Sequence, residues 1–436
     1  AIQVQADNIL SGTDATTRQY DFPGKLLSSN TKHTTANTGY TNYSVVTKNL
    51  FDQLGRITSV QKKYGTNDFK TISAYDYDDL GRMKTKHFDP GYTGSGKTEL
   101  ESLTYSYNIN NQLTGINKDY ALKTAGVYNK WGNFFGLYLG YDNKDGVFAA
   151  SQLNGHIAGS LWSTQGDDVQ RKYDYTYDED GRIANAAYGE KQNVSDNWSN
   201  SSMDFTISGR NGQIQYDLNG NIQYLLHRGV LPGNTSPQNV DDLQYQYGTS
   251  SNQLANVTDN GTLGTANGSL GDFQNGNNIS GNAYSFDGNG NLVVDMNKNI
   301  NNLGGADGIN GIHYNYLDKP EQIRIPGKGT MALVYDAEGT MLQRTFTPDG
   351  GGLATTTSYI NQFVYVGNNL DYIAFEEGRI RVMQTVSQPP GYDQVQMDGN
   401  MDLPGGNRGA YDFFIRDQLG NVRMVLTEET HTGSNT

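Results

Sequence analysis

The chain has 436 residues, a formal net charge of −14 and no cysteine. That charge makes it a poor partner for phosphate backbones or anionic membrane surfaces, and the missing thiols remove disulfides, Cys-ligated zinc, iron–sulfur clusters and Cys nucleophiles together. With 30 tyrosines, 53 glycines and only 10 prolines, it reads as many tight turns between strands whose rings tolerate water at one end.

The first residues, Ala1-Ile2-Gln3-Val4-Gln5, carry no basic or apolar leader, so a mature or internal piece is expected. No run approaches the ~18–20 apolar residues of a membrane-crossing helix, and no membrane insertion is expected. Residues 1–48 read as a β segment leading into repeats that span 49–428, with a frayed polar tail at 429–436. From Phe51 a phrase recurs: aromatic, Asp, two variable residues, Gly, a polar residue, an aliphatic. Its copies are anchored by Phe51, Asp52 and Gly55; by Tyr77, Asp78 and Gly81; and by Tyr177, Asp178 and Gly181. Later copies carry Tyr216, Asp217 and Gly220; Phe286, Asp287 and Gly290; and Tyr335, Asp336 and Gly339. Degenerate copies are expected near Tyr107, Tyr247, Tyr316 and Tyr365.

The phrase has a mechanical meaning. Asp opens a type I turn, and Gly takes the positive φ that closes a three-residue hairpin loop with a bulge. Around it, rings such as Tyr173, Tyr175 and Tyr177 alternate with polar residues, which places them on one face of a strand. Rings from adjacent hairpins are expected to stack into cross-strand ladders, holding a one-layer wall together without a thick aliphatic core. Between the copies, 126–162 is more apolar, with a hairpin signal at Asn154-Gly155. The stretches 256–281 and 299–311 read as long loops. No window sustains a helical period, and no clean domain boundary appears. The fold class is all-β.

Near the end stand Arg416, Asp417, Leu419, Gly420 and Arg423. With the six phrases, they resemble the YD repeats and the core segment of RHS proteins, over 49–428. The resemblance implies a continuous, spiralling antiparallel sheet of β-hairpins forming a hollow shell, here incomplete or open. It further implies a secreted or cell-surface bacterial protein that encloses a C-terminal toxin or effector. That domain is not present in this chain, and secretion-machine components are the other implied partners. The family's self-cleavage motif is absent from these residues, so cleavage is assigned to none of them. The alternative is a surface adhesion or carbohydrate-binding module.

No catalytic, metal or cofactor site is expected. Gly91-Tyr92-Thr93-Gly94-Ser95-Gly96-Lys97-Thr98 fits the P-loop pattern, but no buried strand is read before it and no helix fits after it. Asp287-Gly288-Asn289-Gly290-Asn291 offers alternating oxygens, yet position six is Leu292 and not the Gly of a calcium loop; Asp142 to Gly146 is as weak. The six histidines, His33, His87, His156, His227, His313 and His431, lack a partner at ligand spacing. Most carboxylates already belong to turns, which leaves no distinct glycosidase pair.

Overall fold

A computed structural model describes residues 2–36, 43–93, 97–142, 146–200, 202–230, 236–261, 272–275, 281–301, 311–383, 401–403 and 408–428. They form 31 strands, one short α-helix, Lys118–Leu122, and the single 3-10 turns Arg210–Gly212 and Met296–Lys298. Every pairing among these strands is antiparallel, and nearly every strand pairs with the next along the chain. An N-terminal sheet of 18 strands runs from Ile2–Asp7 to Leu254–Asp259. A two-stranded hairpin, Tyr284–Phe286 with Leu292–Asp295, follows it. A C-terminal sheet of 11 strands starts at Ile312–Tyr314 and includes Val422–Thr427. The strand pattern follows from the β-branched and aromatic alternation, and each phrase ends one strand and starts the next.

The sheets are long and do not close into a barrel.

The wall is not one layer throughout. Tyr43, Val45, Ile72, Phe88, Leu103, Ile116 and Leu137 of the N-terminal sheet share one core with Phe363, Ile373, Ile380, Phe413, Ile415 and Leu426 of the C-terminal sheet. This corrects the expectation of a wall without an aliphatic core. The aliphatic residues are few overall but concentrated at this seam, where the end of the chain seats on its beginning. A smaller cluster, Tyr138, Phe148, Ala158 and Leu161, packs with Ala121 of the helix, so the strand Phe135–Gly140 is buried on both faces.

Candidate functional surface: the repeat clamp and the seam

Each phrase builds the same turn. At the second copy, Gly81 N–H donates to the Asp78 carbonyl at 2.9 Å, and Asp78 N–H to the Arg82 carbonyl at 2.9 Å. The Asp78 carboxylate accepts from Leu80 N–H (3.0 Å), Arg82 N–H (2.9 Å) and Arg82 Nε (2.7 Å). Gly81 has φ +79°, a left-handed conformation that favours glycine, and the register shifts by a bulge between Asp76 and Tyr77. Asp52, Asp178, Asp217, Asp287, Asp336 and Asp417 accept in the same way from the residue four places on. The backbone N–H groups of Arg56 and Asn291 hold the Asp52 and Asp287 carboxyls below their ordinary range. At Asp78 and Asp178 desolvation works the other way, and the bonds from Arg82 and Arg182 outweigh it.

The copies are also tied to one another. The hydroxyl of Tyr77 donates to the Ile57 carbonyl, one residue past the turn of the preceding copy, at 2.7 Å. Tyr107, Tyr177, Tyr216, Tyr247, Tyr314 and Tyr335 repeat this bond to Met83, Ile157, Ile183, Ile222, Leu292 and Pro320 at 2.7 to 3.0 Å. The ring face is used as well. Arg56, Arg82 and Arg182 lie 4.5, 4.8 and 4.6 Å from the centroids of Tyr77, Tyr107 and Tyr216. These three rings therefore alternate with guanidinium groups, one hairpin apart. Direct ring ladders occur deeper in the sheet: Trp162–Tyr173 at 5.6 Å, Tyr173–Tyr188 at 5.7 Å and Tyr188–Phe205 at 5.4 Å.

One consequence is measurable. Tyr177→Phe leaves the packing in place and strips the Ile157 carbonyl of its 2.8 Å donor. The expected cost is about 1 kcal/mol in urea unfolding. An unchanged midpoint would mean that water replaces the hydroxyl without loss.

The turn also occurs where the phrase is imperfect. Asn108 and Asn315 replace Asp, with Asn111 and Asp318 at positive φ in place of Gly. A full copy of the phrase, Tyr20-Asp21-Phe22-Pro23-Gly24-Lys25-Leu26, builds it within 1–48 as well. The aromatic of the copy near Tyr316 is Tyr314; Tyr316 itself is exposed at the tip. Tyr365 belongs to no such turn and is buried in the seam. Asp417 shows that the Arg416–Arg423 signature is one more clamp, with Arg423 Nε donating to its carboxylate at 2.7 Å. Leu419 and Gly420 form its tip, and Arg416 holds the place of the ring.

The remaining motifs are placed by the same geometry. Residues 94–96 of the P-loop pattern lie outside the described residues. The strand before the pattern, Met83–Phe88, is buried only at Phe88 and pairs antiparallel on both sides, and the strand Glu101–Tyr107 follows. Lys97 sits over the Phe134 ring at 4.4 Å. The Asp287 oxygens are turned onto Asn289 and Asn291 of their own turn. Residues 143–145 and 429–436, and most of the two long loops, lie outside the described residues.

The seam combines the shared core with ion pairs. His33, fully buried, stands between Asp14 (2.5 Å) and the Tyr365 hydroxyl (2.8 Å), 332 residues away, and stacks on Phe363 at 4.4 Å. Lys62 meets Glu376 at 3.0 Å, Tyr75 donates to Glu377 at 2.9 Å, and Lys86 also pairs with Glu377. Lys70 bridges Asp89 (2.6 Å) and Glu428 (2.9 Å). Burial, then the Glu377 charge, pushes the Tyr75 hydroxyl far above its usual value.

Glu101 lies at the seam's margin, 2% exposed. Burial pushes its carboxyl up to about 7, only partly offset by the Asn133 side chain and the Phe134 N–H. The folded value exceeds the unfolded one, so the contribution is full below pH 4.5 and lost as pH rises through about 7. Glu101→Gln is expected to flatten the fall in thermal midpoint between pH 5 and 8. A slope identical to that of the parent chain would rule out this origin.

No family model and no curated protein matches the sequence. Among solved structures, the crystal structure of TcdB2-TccC3 without its hypervariable C-terminal region aligns with TM-score 0.52 and 12% identity, over 96% of this chain and 20% of that chain. The chain folds as an open antiparallel β-shell. Crystal structures of TcdB2-TccC3-Cdc42 and TcdB2-TccC3 align over 98% and 96% of this chain and 23% of each of theirs, with TM-scores 0.35 and 0.34 at 13% and 12% identity. The shell thus spans about a fifth of the length of the TcdB2-TccC3 chains it resembles. Two features of the shell escape the repeat phrase: the tie from ring to carbonyl, and the seam. The first depends on hairpin lengths that vary between copies, so no fixed spacing marks it. The second has no local signal.

Proposed function

We propose that the chain is a non-catalytic segment of a containment wall, an RHS-type shell that encloses a toxin or effector polypeptide and keeps it from the producing cell until delivery. The observation that carries this reading is the return of the sheet onto itself: the strand Val422–Thr427 packs Leu426 into the same core as Tyr43 and Ile72, in sheets that do not close into a barrel. Secretion or surface display and engagement of a secretion machine go with this role. Of the turn rings, the natural candidates for sugar stacking, Tyr77, Tyr107 and Tyr216 have both hydroxyl and face engaged, so the adhesion reading draws no support from these three.

The test uses the whole gene product. Protease should spare an enclosed polypeptide while the wall is folded and digest it once the wall is denatured. Small-angle scattering should give the long interatomic distances of a shell. Digestion at the rate of the free polypeptide, or scattering from a solid globule, would overturn the reading.

A further inference from the structure

Away from the clamps and the seam, three carboxylates converge without serving either. Asp241 lies in the strand Gln238–Tyr247, Asp259 ends the strand Leu254–Asp259, and Asp272 opens the stretch 272–275. One ligand oxygen from each lies within 4.8 Å of the others. Asp241 and Asp272 are 7% and 6% exposed.

Their bonding is uneven. Asp241 Oδ1 accepts from Phe273 N–H at 2.8 Å, and its Oδ2 faces His227 Nδ1 at 3.2 Å. Asp259 Oδ1 accepts from Asp242 N–H and Gly261 N–H, each at 2.8 Å. Asp272 accepts from the Gln274 side chain through Oδ2. Its Oδ1 is buried with no hydrogen-bond partner. Among the described residues, the ion pair that reaches the trio is His227 with Asp241. Three like charges this close, two of them buried, are costly unless a cation or a proton intervenes.

We propose that Asp241, Asp259 and Asp272 bind a divalent cation of the calcium class, with the orphaned Asp272 oxygen as a direct ligand. The donors are carboxylate oxygens, hard ligands that suit calcium, magnesium or manganese and not the softer thiolate-seeking metals. The position gives the ion a task. Asp241 and Asp259 lie on the last two strands of the N-terminal sheet, just before its ladder is interrupted. The stretch 272–275 is fastened to them by Phe273 N–H and by Asn275, which exchanges two 3.0 Å bonds with the Asp259 backbone. A bound ion completes that fastening at the sheet's edge. This inference does not depend on containment.

Calorimetric titration of the chelator-treated chain with calcium chloride is expected to show one site, weakened at least about ten-fold in Asp272→Asn, the lower range even for outer-shell losses. Thermal midpoints separate a ligand from a structural residue. In EDTA, Asp272→Asn should melt higher than the parent, because a like charge is gone. In calcium the order should reverse, and Asp259→Asn should behave likewise. Absence of heat and of any midpoint shift with calcium, magnesium and manganese would overturn the proposal. So would unchanged affinity in both variants, or an Asp272→Asn chain less stable than the parent in EDTA.

Discussion

Phe413→Ala should cost about 3–5 kcal/mol of stability, the range for truncating a buried aromatic. Phe413 is fully buried and packs on Phe88 of the N-terminal sheet at 5.8 Å and on Phe375 of its own sheet at 5.5 Å. Its loss opens a cavity at the middle of the seam, between Tyr411 and Ile415, where two sheets cannot both relax into it. The measurement is denaturant unfolding, with Phe88→Ala and the double variant completing a cycle. If the seam is one packing unit, the pair is non-additive, because the second truncation enlarges an existing cavity. A loss below about 1 kcal/mol, typical of surface substitutions, would show that the two sheets merely touch.

The second large effect is expected at Lys70. Its ammonium lies between Asp89 and Glu428, whose side chains are 2% and 4% exposed. Burial disfavours the Lys70 charge, but Glu428 and Asp89 more than compensate and its pKa is raised. Lys70→Met keeps the length of the stem and leaves two buried carboxylates facing each other. Removing one partner of a buried pair costs about 3–5 kcal/mol. The size depends on pH. Burial, aided by Asp89, holds the Glu428 carboxyl well above its usual range even with Lys70 present. The folded value lies above the unfolded 4.5, so Glu428 contributes fully below that pH and loses the contribution as pH rises through the folded value. Without Lys70 the folded value climbs further. The variant should therefore lose more at pH 8 than at pH 5, where the unpaired Asp89 still leaves a deficit. An equal deficit at both would place the effect in lost packing of the lysine stem and not in charge.

These two sites mark the limit of what the sequence could disclose. The turns were legible because their bonds are local: Asp78 reaches Arg82 four residues on, and the phrase states both ends of that bond. The copy at Tyr20-Asp21-Phe22-Pro23-Gly24-Lys25-Leu26 fits the phrase in full and was equally legible, although the series read from the sequence starts only at Phe51. The tie from Tyr77 to Ile57 spans 20 residues. It depends on the length of the intervening hairpin, which varies between copies, so no fixed spacing announces it. The seam is further removed. Nothing near His33 points to Tyr365, and Lys62 lies 314 residues from Glu376. Composition misled for a related reason: an average over the chain hides the local concentration of Ile72, Leu103, Ile373, Ile380 and Ile415 in one core. The carboxylate trio was invisible because Asp241 and Asp259 sit in ordinary strand contexts, and the turn at Asp287 looked more like a metal loop than they do.

The ties between successive hairpins bear on how such a molecule comes apart under load. A meander of nearest-neighbour strands would normally peel from a free end, one hairpin at a time, at low force. Here Tyr314 carries the tie across the gap between the two-stranded hairpin and the C-terminal sheet, at 2.7 Å to Leu292. Both ends of the meander are meanwhile pinned to each other through His33, Tyr365, Lys70 and Glu428. Tension applied at Glu428 loads that fastening first, whereas Ile2–Asp7, exposed along its length, peels from Thr13–Tyr20 before it is reached; once the fastening gives, the hairpins unzip in sequence.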